Sequence, residues 1–522
     1  MHSSDKPHYR YRRSTEELAA EVSADLMRRA QKEVAALEEV NRAGAYQPTW
    51  ESLDGHACPG WFDDAKFGMF LDWGLYSVAG WGRPNPNGPT YPDWYLQDMY
   101  EKDETRAYHA RNWGAEFRRD DFIPKFDASQ YDAAAIVVAA AGAGMKYVVP
   151  FCKHHDGFCL WDSDWTFRNA ADTSPGYDLL APLVAACRRQ GLKFGAYFSV
   201  EEWEYPILDE HGRLASERQW EFFEPRFAPY DAARLDGRIA GKVPVRDFVK
   251  DYLIPQCKEL IDRYDPDLLW YDGEWKWPTE NRGTRELAAY YYNRAAGRKE
   301  VAVNDRYGDC PESRGRHGDF FTSEFNVERL QSLTHKWEEC RSIGRHYGYN
   351  HEVTDADVLS PTGLVHMLVD IVSRNGNLLL LVNPTGSGAL LPMELARLRA
   401  VGDWLRVNGE AIYATRQYRP VSPVATGDGP SAEKPVRFTA SKDGRFVYAI
   451  ALSWPGDTLV LPGVQPADGA AVTMLGSGRP LEWSRACSTG DCSSGCGLTI
   501  EIPSALAQNR PCEHAWVFRI PR

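Results

Sequence analysis

The sequence predicts an α/β protein, in which a (β/α)8-type barrel is followed by a C-terminal antiparallel β-sandwich. Between about residues 60 and 390, short apolar runs alternate with amphipathic segments of helical period, the pattern of repeated β-α units. Beyond about residue 415, alternating apolar and polar runs between Pro- and Gly-rich turns indicate antiparallel strands. We therefore divide the chain into an N-terminal helical extension over 1–59, the barrel over 60–412 and the sandwich over 413–522.

The N-terminal extension is predicted to be mainly one helix. Over 14–42, apolar residues from Leu18 to Val34 recur on one helical face, between charged residues. We expect this face to pack on the barrel.

Eight apolar runs are predicted to form the barrel strands. In chain order they are FGMFLDWG, MKYVVPF, LKFGAYF, DLLWYDG, EVAVND, DFFTSEF, GRHYGY and NLLLLVN. Helical patterns separate most of them, at 130–143, 178–190, 247–264, 284–297, 362–374 and 393–408. One or two connections look irregular, so the ring of helices is expected to be incomplete.

The sandwich strands are predicted from alternating runs such as VRFTASKDGRFVYAIALSW, DTLVLPGV, GLTIEIPSAL and HAWVFRI. We expect this domain to pack against the barrel without contributing to its site.

Composition narrows the classes of function. The chain has 522 residues, a formal net charge of −13 and only short basic clusters, which does not favour a nucleic-acid partner. No apolar leader and no run of about 18 apolar residues is found, so we expect no membrane span and a cytoplasmic location. The 18 Trp, 26 Tyr and 21 Phe suit a site that stacks sugar rings, although a large aromatic core explains them equally.

The eleven cysteines are expected to be reduced and mostly buried. The C-terminal group is Cys487, Cys492, Cys496 and Cys512, whose spacings of five, four and sixteen lack the close pairs typical of zinc ligands. A metal site is therefore not expected at these cysteines.

Catalytic groups of a (β/α)8 barrel lie where its strands end. The polar and aromatic residues at the ends of the predicted strands are Asp72, Trp73, His154, His155, Tyr197, Glu201, Glu202, Trp270, Asp272, Asp305, Arg306 and Glu324. One end of the barrel therefore collects several carboxylates, two histidines and an arginine.

Two carboxylates on nearby strands are what glycoside hydrolysis requires, one as acid and one to stabilise or attack the anomeric carbon. Asp272 ends the strand DLLWY, and Glu324 follows FFTS in aromatic surroundings that would keep it protonated. An Asp beside Gly is also a common turn or helix-cap residue, and Glu324 could be a surface carboxylate. Glu201 and Glu202 are an alternative catalytic pair.

His154 and His155 raise the question of a metal site. Adjacent histidines on a strand point to opposite faces, and no third ligand has suitable spacing. Hydrogen bonding to substrate hydroxyls is the better functional interpretation, and a structural pair is the alternative.

Several ordered blocks resemble glycoside hydrolase family 29, the α-L-fucosidases. They are WFDDAKFGMFLDWGLYSVAGW, GMKYVVPFCKHHDGFCLWDSDWT, LKFGAYFS, PDLLWYDGEW, VNDRYG, TSEF and NGNLLLLVNP, between about residues 60 and 412. The resemblance implies the same barrel and sandwich, a double displacement without cofactor, Asp272 as nucleophile and Glu324 as acid/base. It further implies substrate contacts for His154, His155, Tyr197, Trp270 and Arg306.

The chain departs from the family pattern in two places. The family usually has histidine where FLDWG places Asp72, and its Glu-Trp-Tyr segment reads Asp93, Trp94 and Tyr95 here. Both changes fall where the resemblance implies contact with O3 and O4 of the sugar. An Asp72 that accepts from an equatorial O4 would shift preference toward α-L-glucosides.

The activity expected from the sequence is a retaining exo-α-L-glycosidase acting on a glycoside with a terminal L-fucose-like sugar, with a hypothesised shift toward α-L-glucosides. An ordinary α-L-fucosidase is the first alternative, and a non-catalytic carbohydrate-binding protein the second. Transglycosylation, linkage preference and oligomeric state stay open.

Overall fold

Eight parallel strands form the central sheet of this computed structural model, which describes residues 13–214, 239–273, 282–307, 316–325, 335–420, 436–486 and 497–522. The strands are β1 Phe67–Leu71, β2 Tyr147–Lys153, β3 Lys193–Ser199, β4 Leu268–Asp272, β5 Ala302–Val303, β6 Phe321–Ser323, β7 Trp337–Ser342 and β8 Gly376–Val382. Their order in the sheet is β5-β4-β3-β2-β1-β8-β7-β6, so neighbours in sequence are neighbours in space.

The two edges of this sheet meet. A parallel bridge joins Asn304, directly after β5, to Phe320, directly before β6. The amide of Asp319 also donates to the Val303 carbonyl at 2.9 Å. The sheet therefore closes, which confirms the predicted barrel.

Strand β8 shows why uniformly apolar runs form this barrel. Leu379 and Leu381 belong to the cluster inside the barrel, whereas Leu378 and Leu380 pack against the surrounding helices. All seven residues of β8 are buried because the strand has protein on both faces.

The seventh strand is not where the sequence analysis placed it. GRHYGY was predicted as a strand, but β7 is Trp337–Ser342, with the sequence WEECRS. Its Glu338 and Glu339 are fully buried, and buried carboxylates break the apolar pattern on which the prediction relied.

Helices surround the barrel and precede it. The N-terminal helices are α1 Thr15–Glu21, α2 Ser23–Ala43, α3 Trp50–Leu53 and α4 Gly60–Ala65. The later helices are α5 Tyr76–Ala79, α6 Tyr95–Glu101, α7 Asp103–Asn112, α8 Ala133–Gly142, α9 Leu180–Gln190, α10 Ile254–Tyr264, α11 Thr284–Ala295, α12 Pro361–Ser373 and α13 Pro392–Asn408. The described parts of the β5–β6 and β6–β7 connections contain no helix.

Helix α2 packs on the barrel as predicted. Asn41 Nδ2 donates to the Glu286 carbonyl of α11 at 2.9 Å. Glu33 forms an ion pair with Lys258 of α10 at 2.7 Å. The apolar Leu37 is fully buried in the same core as the barrel helices.

The segment Asp355–Ser373 is long and apolar enough, by length and composition alone, to cross a membrane. In the structure its helix α12 packs on β8 and α13. Leu364, Val365 and Leu368 are fully buried there. Packing on the barrel therefore accounts for its apolar composition.

The C-terminal part consists of two antiparallel sheets. Their strands are β9 Thr415–Gln417, β10 Val436–Ser441, β11 Phe446–Ala451, β12 Thr458–Leu461, β13 Thr473–Met474, β14 Trp483–Ala486, β15 Gly497–Glu501 and β16 Trp516–Pro521. The five-stranded sheet has the order β13-β16-β11-β10-β9 and the three-stranded sheet β12-β15-β14. A short helix, α14 Ser504–Gln508, follows β15. Cys487, Cys492 and Cys496 lie outside the described residues.

The sandwich contacts the barrel through its helices. Trp404 Nε1 on α13 donates to the Ala515 carbonyl at 2.9 Å, and Arg437 pairs with Asp370 of α12 at 2.7 Å. None of the described sandwich residues lines the cavity described next. The expectation that the domain packs against the barrel agrees with this geometry.

Candidate active site

A cavity of about 380 Å³ opens at the ends of the barrel strands. The residues that line it are Phe70, Tyr91, Asp93, Trp94, Asp98, Phe151, His154, Tyr197, Trp270, Asp272, Arg306, Glu324 and Tyr347. Aromatic rings and a few polar groups that converge on a cavity of this size are typical of small-ligand sites.

Asp272 is the last residue of β4 and projects into the cavity. Its Oδ2 accepts from the Tyr197 hydroxyl at 2.8 Å, and its Oδ1 accepts from Arg306 Nη1 at 2.9 Å. Both donors favour the ionised carboxylate. After Asp272 the chain turns at Gly273, whose φ of +96° favours glycine. A larger residue would also clash there, because its Cβ would lie 2.9 Å from Glu201 Cβ.

Arg306 joins the two predicted catalytic carboxylates. Its Nη1 binds Asp272, and its Nη2 forms an ion pair with Glu324 Oε1. Nε donates to Thr322 Oγ1 at 2.9 Å, and the guanidinium lies 4.5 Å from the Trp270 ring centroid. These contacts fix the buried guanidinium, which in turn holds Asp272 and Glu324 close to each other in the cavity.

Aromatic side chains form the floor. Tyr197 stacks on Phe151 with centroids 3.9 Å apart and on Trp270 at 5.6 Å. Phe70 packs on Trp270 at 4.8 Å. Beneath the floor, Trp270 Nε1 donates to Glu338 at 3.0 Å, so a buried carboxyl on β7 fixes the orientation of the indole.

The predicted histidine pair stands beside Asp272. His155 Nε2 lies 3.6 Å from Asp272 Oδ2. His155 Nδ1 lies 2.6 Å from Ser199 Oγ, whose hydroxyl donates to the Glu201 carbonyl. His155 therefore carries its proton on Nδ1 when the ring is neutral, and Nε2 is then the acceptor nitrogen.

His154 and Asp93 present polar atoms without protein partners. His154 Nε2 lies 3.5 Å from Asp93 Oδ2, while His154 Nδ1 and Asp93 Oδ1 have no hydrogen bond among the described residues. Burial lowers the pKa of His154. Burial, with the charges of Glu324 and Asp272, raises the pKa of Asp93 well above its usual range. Both shifts favour the neutral forms of these side chains, which suit an uncharged polyhydroxylated ligand.

Trp94 also lines the cavity and contacts His155 of the histidine pair. Its ring meets His155 at 5.5 Å in an edge-on arrangement and Trp203 at 5.4 Å. Together with Asp93 it lies in the 3-10 turn Pro92–Trp94. The structure thus brings Asp93 and Trp94, the first two residues of the Asp-Trp-Tyr segment, to the cavity.

Asp72 is placed differently from the prediction. The carboxyl follows β1 as expected, but it is fully buried and does not line the cavity. Its Oδ1 accepts from the Tyr76 hydroxyl at 2.5 Å, and the Tyr76 ring packs on His154 at 5.4 Å. Burial and the charge of Asp93 raise the pKa of Asp72 to about 8. Asp72 Oδ2 has no hydrogen bond among the described residues, and substrate contact by Asp72 stays a prediction.

The alternative pair, Glu201 and Glu202, does not line the cavity. Glu202 pairs with Lys153 at 3.0 Å and Lys242 at 2.6 Å, all fully buried. Burial alone would raise the pKa of Glu202, but the two ammonium groups lower this pKa to about 2. Glu202 is thus part of a structural ion cluster.

In the described part of the chain, no group of three or more His, Cys, Asp or Glu side chains has the arrangement of a metal site.

Five lining residues were not selected from the sequence: Phe70, Tyr91, Asp98, Phe151 and Tyr347. Period-two alternation along β1 and β2 would have placed Phe70 and Phe151 inside the barrel. Tyr347 lies in the segment taken for a strand. For Tyr91 and Asp98, which flank the segment of Asp93, no separate pattern was available.

The comparisons with known proteins agree over nearly the whole chain. The sequence profile described as Alpha-L-fucosidase matches residues 33–410, and that of the Alpha-L-fucosidase C-terminal domain matches 429–521. An alpha-L-fucosidase of Branchiostoma floridae is 34% identical over 489 residues, which cover 91% of this chain and 95% of that protein. The plasma alpha-L-fucosidase of Homo sapiens is 32% identical, with 92% and 93% covered.

A solved structure of Thermotoga maritima alpha-fucosidase in complex with fucose is also similar. It has 32% identity and a TM-score of 0.71, and the match covers 91% of this chain and 100% of that one. The chain therefore belongs to the α-L-fucosidase family and is a glycoside hydrolase.

Proposed function

We propose that this protein is a retaining exo-α-L-fucosidase that uses Asp272 as nucleophile and Glu324 as acid/base. The observation that carries the proposal is the single guanidinium of Arg306, which binds both carboxylates at the edge of one aromatic-floored cavity. Two carboxylates on one guanidinium favour the short separation of about 5–5.5 Å used by retaining enzymes, without room for a water between.

In the first step, an oxygen of Asp272 attacks the anomeric carbon and the bond from that carbon to the glycosidic oxygen breaks. In its protonated form, Glu324 gives its proton to the departing oxygen, so the leaving group departs as an alcohol. Arg306 and Tyr197 hold Asp272 ionised and oriented for this attack.

In the second step, Glu324, now ionised, takes a proton from a water molecule that attacks the same carbon. The bond to Asp272 breaks, Asp272 regains its charge, and the sugar leaves with its original anomeric configuration. A sugar hydroxyl in place of water would give transglycosylation by the same route.

The cavity supports recognition of a single terminal sugar. Its floor is closed by Phe70, Trp270 and Tyr197, so the chain of a longer glycan extends only toward the mouth. The unpaired atoms of His154 and Asp93 offer hydrogen bonds to the hydroxyls of that sugar.

L-Fucose is the sugar best supported, since the similar proteins are named α-L-fucosidases. The hypothesised preference for α-L-glucosides rested on direct contact of Asp72 with O4. Asp72 is fully buried outside the cavity lining, and its Oδ1 accepts from Tyr76, which gives that contact no support.

The first test compares kcat/KM on p-nitrophenyl α-L-fucoside and p-nitrophenyl α-L-glucoside for the purified protein and for Asp272→Asn. We expect the fucoside to be preferred and the variant to lose at least about a thousandfold, because an amide is a poor nucleophile. A preferred glucoside would refute the assignment of the sugar but not the mechanism.

A second test assigns the two carboxylates separately. Asp272→Gly leaves space for azide to attack the anomeric carbon from the side that Asp272 occupied. We therefore expect azide to restore activity, with β-L-fucosyl azide as product. Glu324→Gly should instead be rescued on activated substrates with α-L-fucosyl azide, because azide then intercepts the intermediate on Asp272. If Asp272→Gly gave the α-azide and Glu324→Gly the β-azide, Glu324 would be the nucleophile and Asp272 the acid/base.

A further inference from the structure

We infer that Asp305 and Thr322 are positioning residues for the reaction. Through two hydrogen bonds in series, they hold the guanidinium of Arg306 in place while the charges of its two carboxylate partners change. The inference rests on the proposed function and adds to it the residues that keep its central arginine oriented.

The series of hydrogen bonds runs from Arg306 to Asp305 through one hydroxyl. Arg306 Nε donates to Thr322 Oγ1 at 2.9 Å, and the Thr322 hydroxyl donates to Asp305 Oδ1 at 2.7 Å. The same oxygen of Asp305 accepts from Thr322 N at 3.0 Å. Because Asp305 takes the hydroxyl proton, a lone pair of Thr322 Oγ1 is directed to Arg306. A carboxylate at the end of the series polarises both bonds and strengthens them.

These hydrogen bonds are shielded from water. The relative exposure is 1% for Asp305 and Arg306 and 5% for Thr322. Without the Thr322 hydroxyl, Arg306 Nε would be a buried donor of a charged group that lacks this acceptor, which is costly. Neither Asp305 nor Thr322 is part of the cavity lining, so we expect both to act on the reaction through Arg306.

Asp305 and Thr322 meet across the seam that closes the barrel. Asp305 lies two residues after β5, and Thr322 belongs to β6. Arg306 directly follows Asp305, and Glu324 is two residues after Thr322. The hydrogen bonds between Asp305 and Thr322 therefore fix the two segments that carry Arg306 and Glu324 relative to each other.

Arg306 has to stay in place while its carboxylate partners exchange charge. In the first step, Asp272 becomes an ester and loses its charge, whereas Glu324 gives up its proton and becomes charged. The contacts of Nη1 with Asp272 and of Nη2 with Glu324 thus change strength in opposite directions. Thr322 and Asp305 form and break no bond in the reaction, so the contact at Nε persists through both steps.

The other end of the seam offers a matched control. There Asp319 Oδ2 accepts from Val303 N at 2.8 Å and from the Tyr292 hydroxyl at 3.0 Å. Tyr292 is 1% exposed and lies outside the cavity lining. Tyr292→Phe therefore removes a buried hydrogen bond from the same seam, but one that does not lead to Arg306.

The test compares Thr322→Val, which removes the hydroxyl and keeps the branched shape, with Thr322→Ser, which keeps the hydroxyl. Asp305→Ala and the double variant of Asp305→Ala with Thr322→Val complete a double-mutant cycle. For these variants, for Tyr292→Phe and for the wild-type chain, we would measure kcat and KM on p-nitrophenyl α-L-fucoside together with the melting temperature.

We expect Thr322→Val to lower kcat at least about tenfold, as for a lost hydrogen bond to a charged group. KM should change little, because the lost hydroxyl does not line the cavity. Thr322→Ser should stay close to the wild type. Since the two residues act in series, the double variant should be no slower than the slower single variant. Tyr292→Phe should lower the melting temperature and keep kcat.

A Thr322→Ser variant as slow as Thr322→Val, or an equal loss of kcat in Tyr292→Phe, would overturn the inference in favour of general packing. Losses that multiply in the double variant would overturn the coupling of Asp305 to Arg306 through Thr322. If the wild-type chain did not hydrolyse p-nitrophenyl α-L-fucoside, the proposed function would fail instead, and the inference with it.

Discussion

At the scale of single residues, surroundings decide the protonation of chemically similar carboxyl groups in and beneath the cavity. Asp272 receives two hydrogen bonds, from Tyr197 and Arg306, whereas burial and the charge of Glu324 raise the pKa of Asp93. The sequence identified Asp272, Glu324 and Arg306 because each follows a barrel strand. Strand position did not reveal that Asp72 accepts a hydrogen bond from Tyr76 and lies outside the cavity lining.

Glu338 provides a prediction at this scale. It accepts from Tyr147 at 2.5 Å and from Trp270 at 3.0 Å, and burial raises its pKa to about 7. Between its ordinary pKa and about 7, the folded state binds more protons than the unfolded state. The free energy of unfolding therefore falls as pH rises through this range, by up to about 3 kcal/mol.

Glu338→Gln keeps an acceptor for Trp270 and does not ionise. We expect its melting temperature to rise relative to the wild type between about pH 4.5 and about pH 7, and the difference to level off above that. Glu501→Gln, on an exposed side chain of β15, should show no such trend. A constant difference for Glu338→Gln across the range would show that this carboxyl does not titrate there.

At the scale of elements, strand β7 shows what local pattern does and does not determine. Strand β8 was predictable because apolar residues occupy both of its faces. In β7, with the sequence WEECRS, Glu338 accepts hydrogen bonds from Tyr147 of β2 and Trp270 of β4. Both partners are far away in sequence, so the local pattern could not predict that this carboxyl is buried. Tyr347 lies in the turn after β7. Because the sequence analysis assigned that turn to a strand, it did not select Tyr347 as a site residue.

That turn gives a prediction about Gly348. Its φ is +79°, and an added Cβ would lie 2.9 Å from Asp93 N, whereas Gly444, with φ +73°, has nothing within 4 Å of an added Cβ. Gly348→Ala and Gly444→Ala should both lose about 1 kcal/mol of stability through their backbone conformation. Gly348→Ala alone should also lower kcat/KM, because it displaces Asp93.

The measurements are melting temperature and kcat/KM on p-nitrophenyl α-L-fucoside for both variants. If Gly348→Ala kept full activity, the position of Asp93 would not matter to the reaction. If Gly444→Ala lost activity as well, general destabilisation would explain both.

At the scale of the whole molecule, the barrel and sandwich share a core. Tyr448, Ile450 and Val517 of the sandwich belong to the same buried cluster as Leu364 and Leu368 of α12. A second cluster, which includes Ile500, lies within the sandwich alone. Through the shared cluster, the sandwich packs against the barrel, although none of its described residues lines the cavity. The strand patterns in the sequence predicted these two parts in outline.

This shared core predicts that the two parts unfold together. Ile500→Ala removes fully buried methyl groups from the sandwich core and should cost about 2–5 kcal/mol. If unfolding is cooperative across the shared core, both the calorimetric transition and the temperature of half-maximal activity loss fall by the same amount. Val138→Ala, on a side chain that is 53% exposed on α8, should move neither. Activity that survives above the shifted transition would mean that the barrel stands without the sandwich.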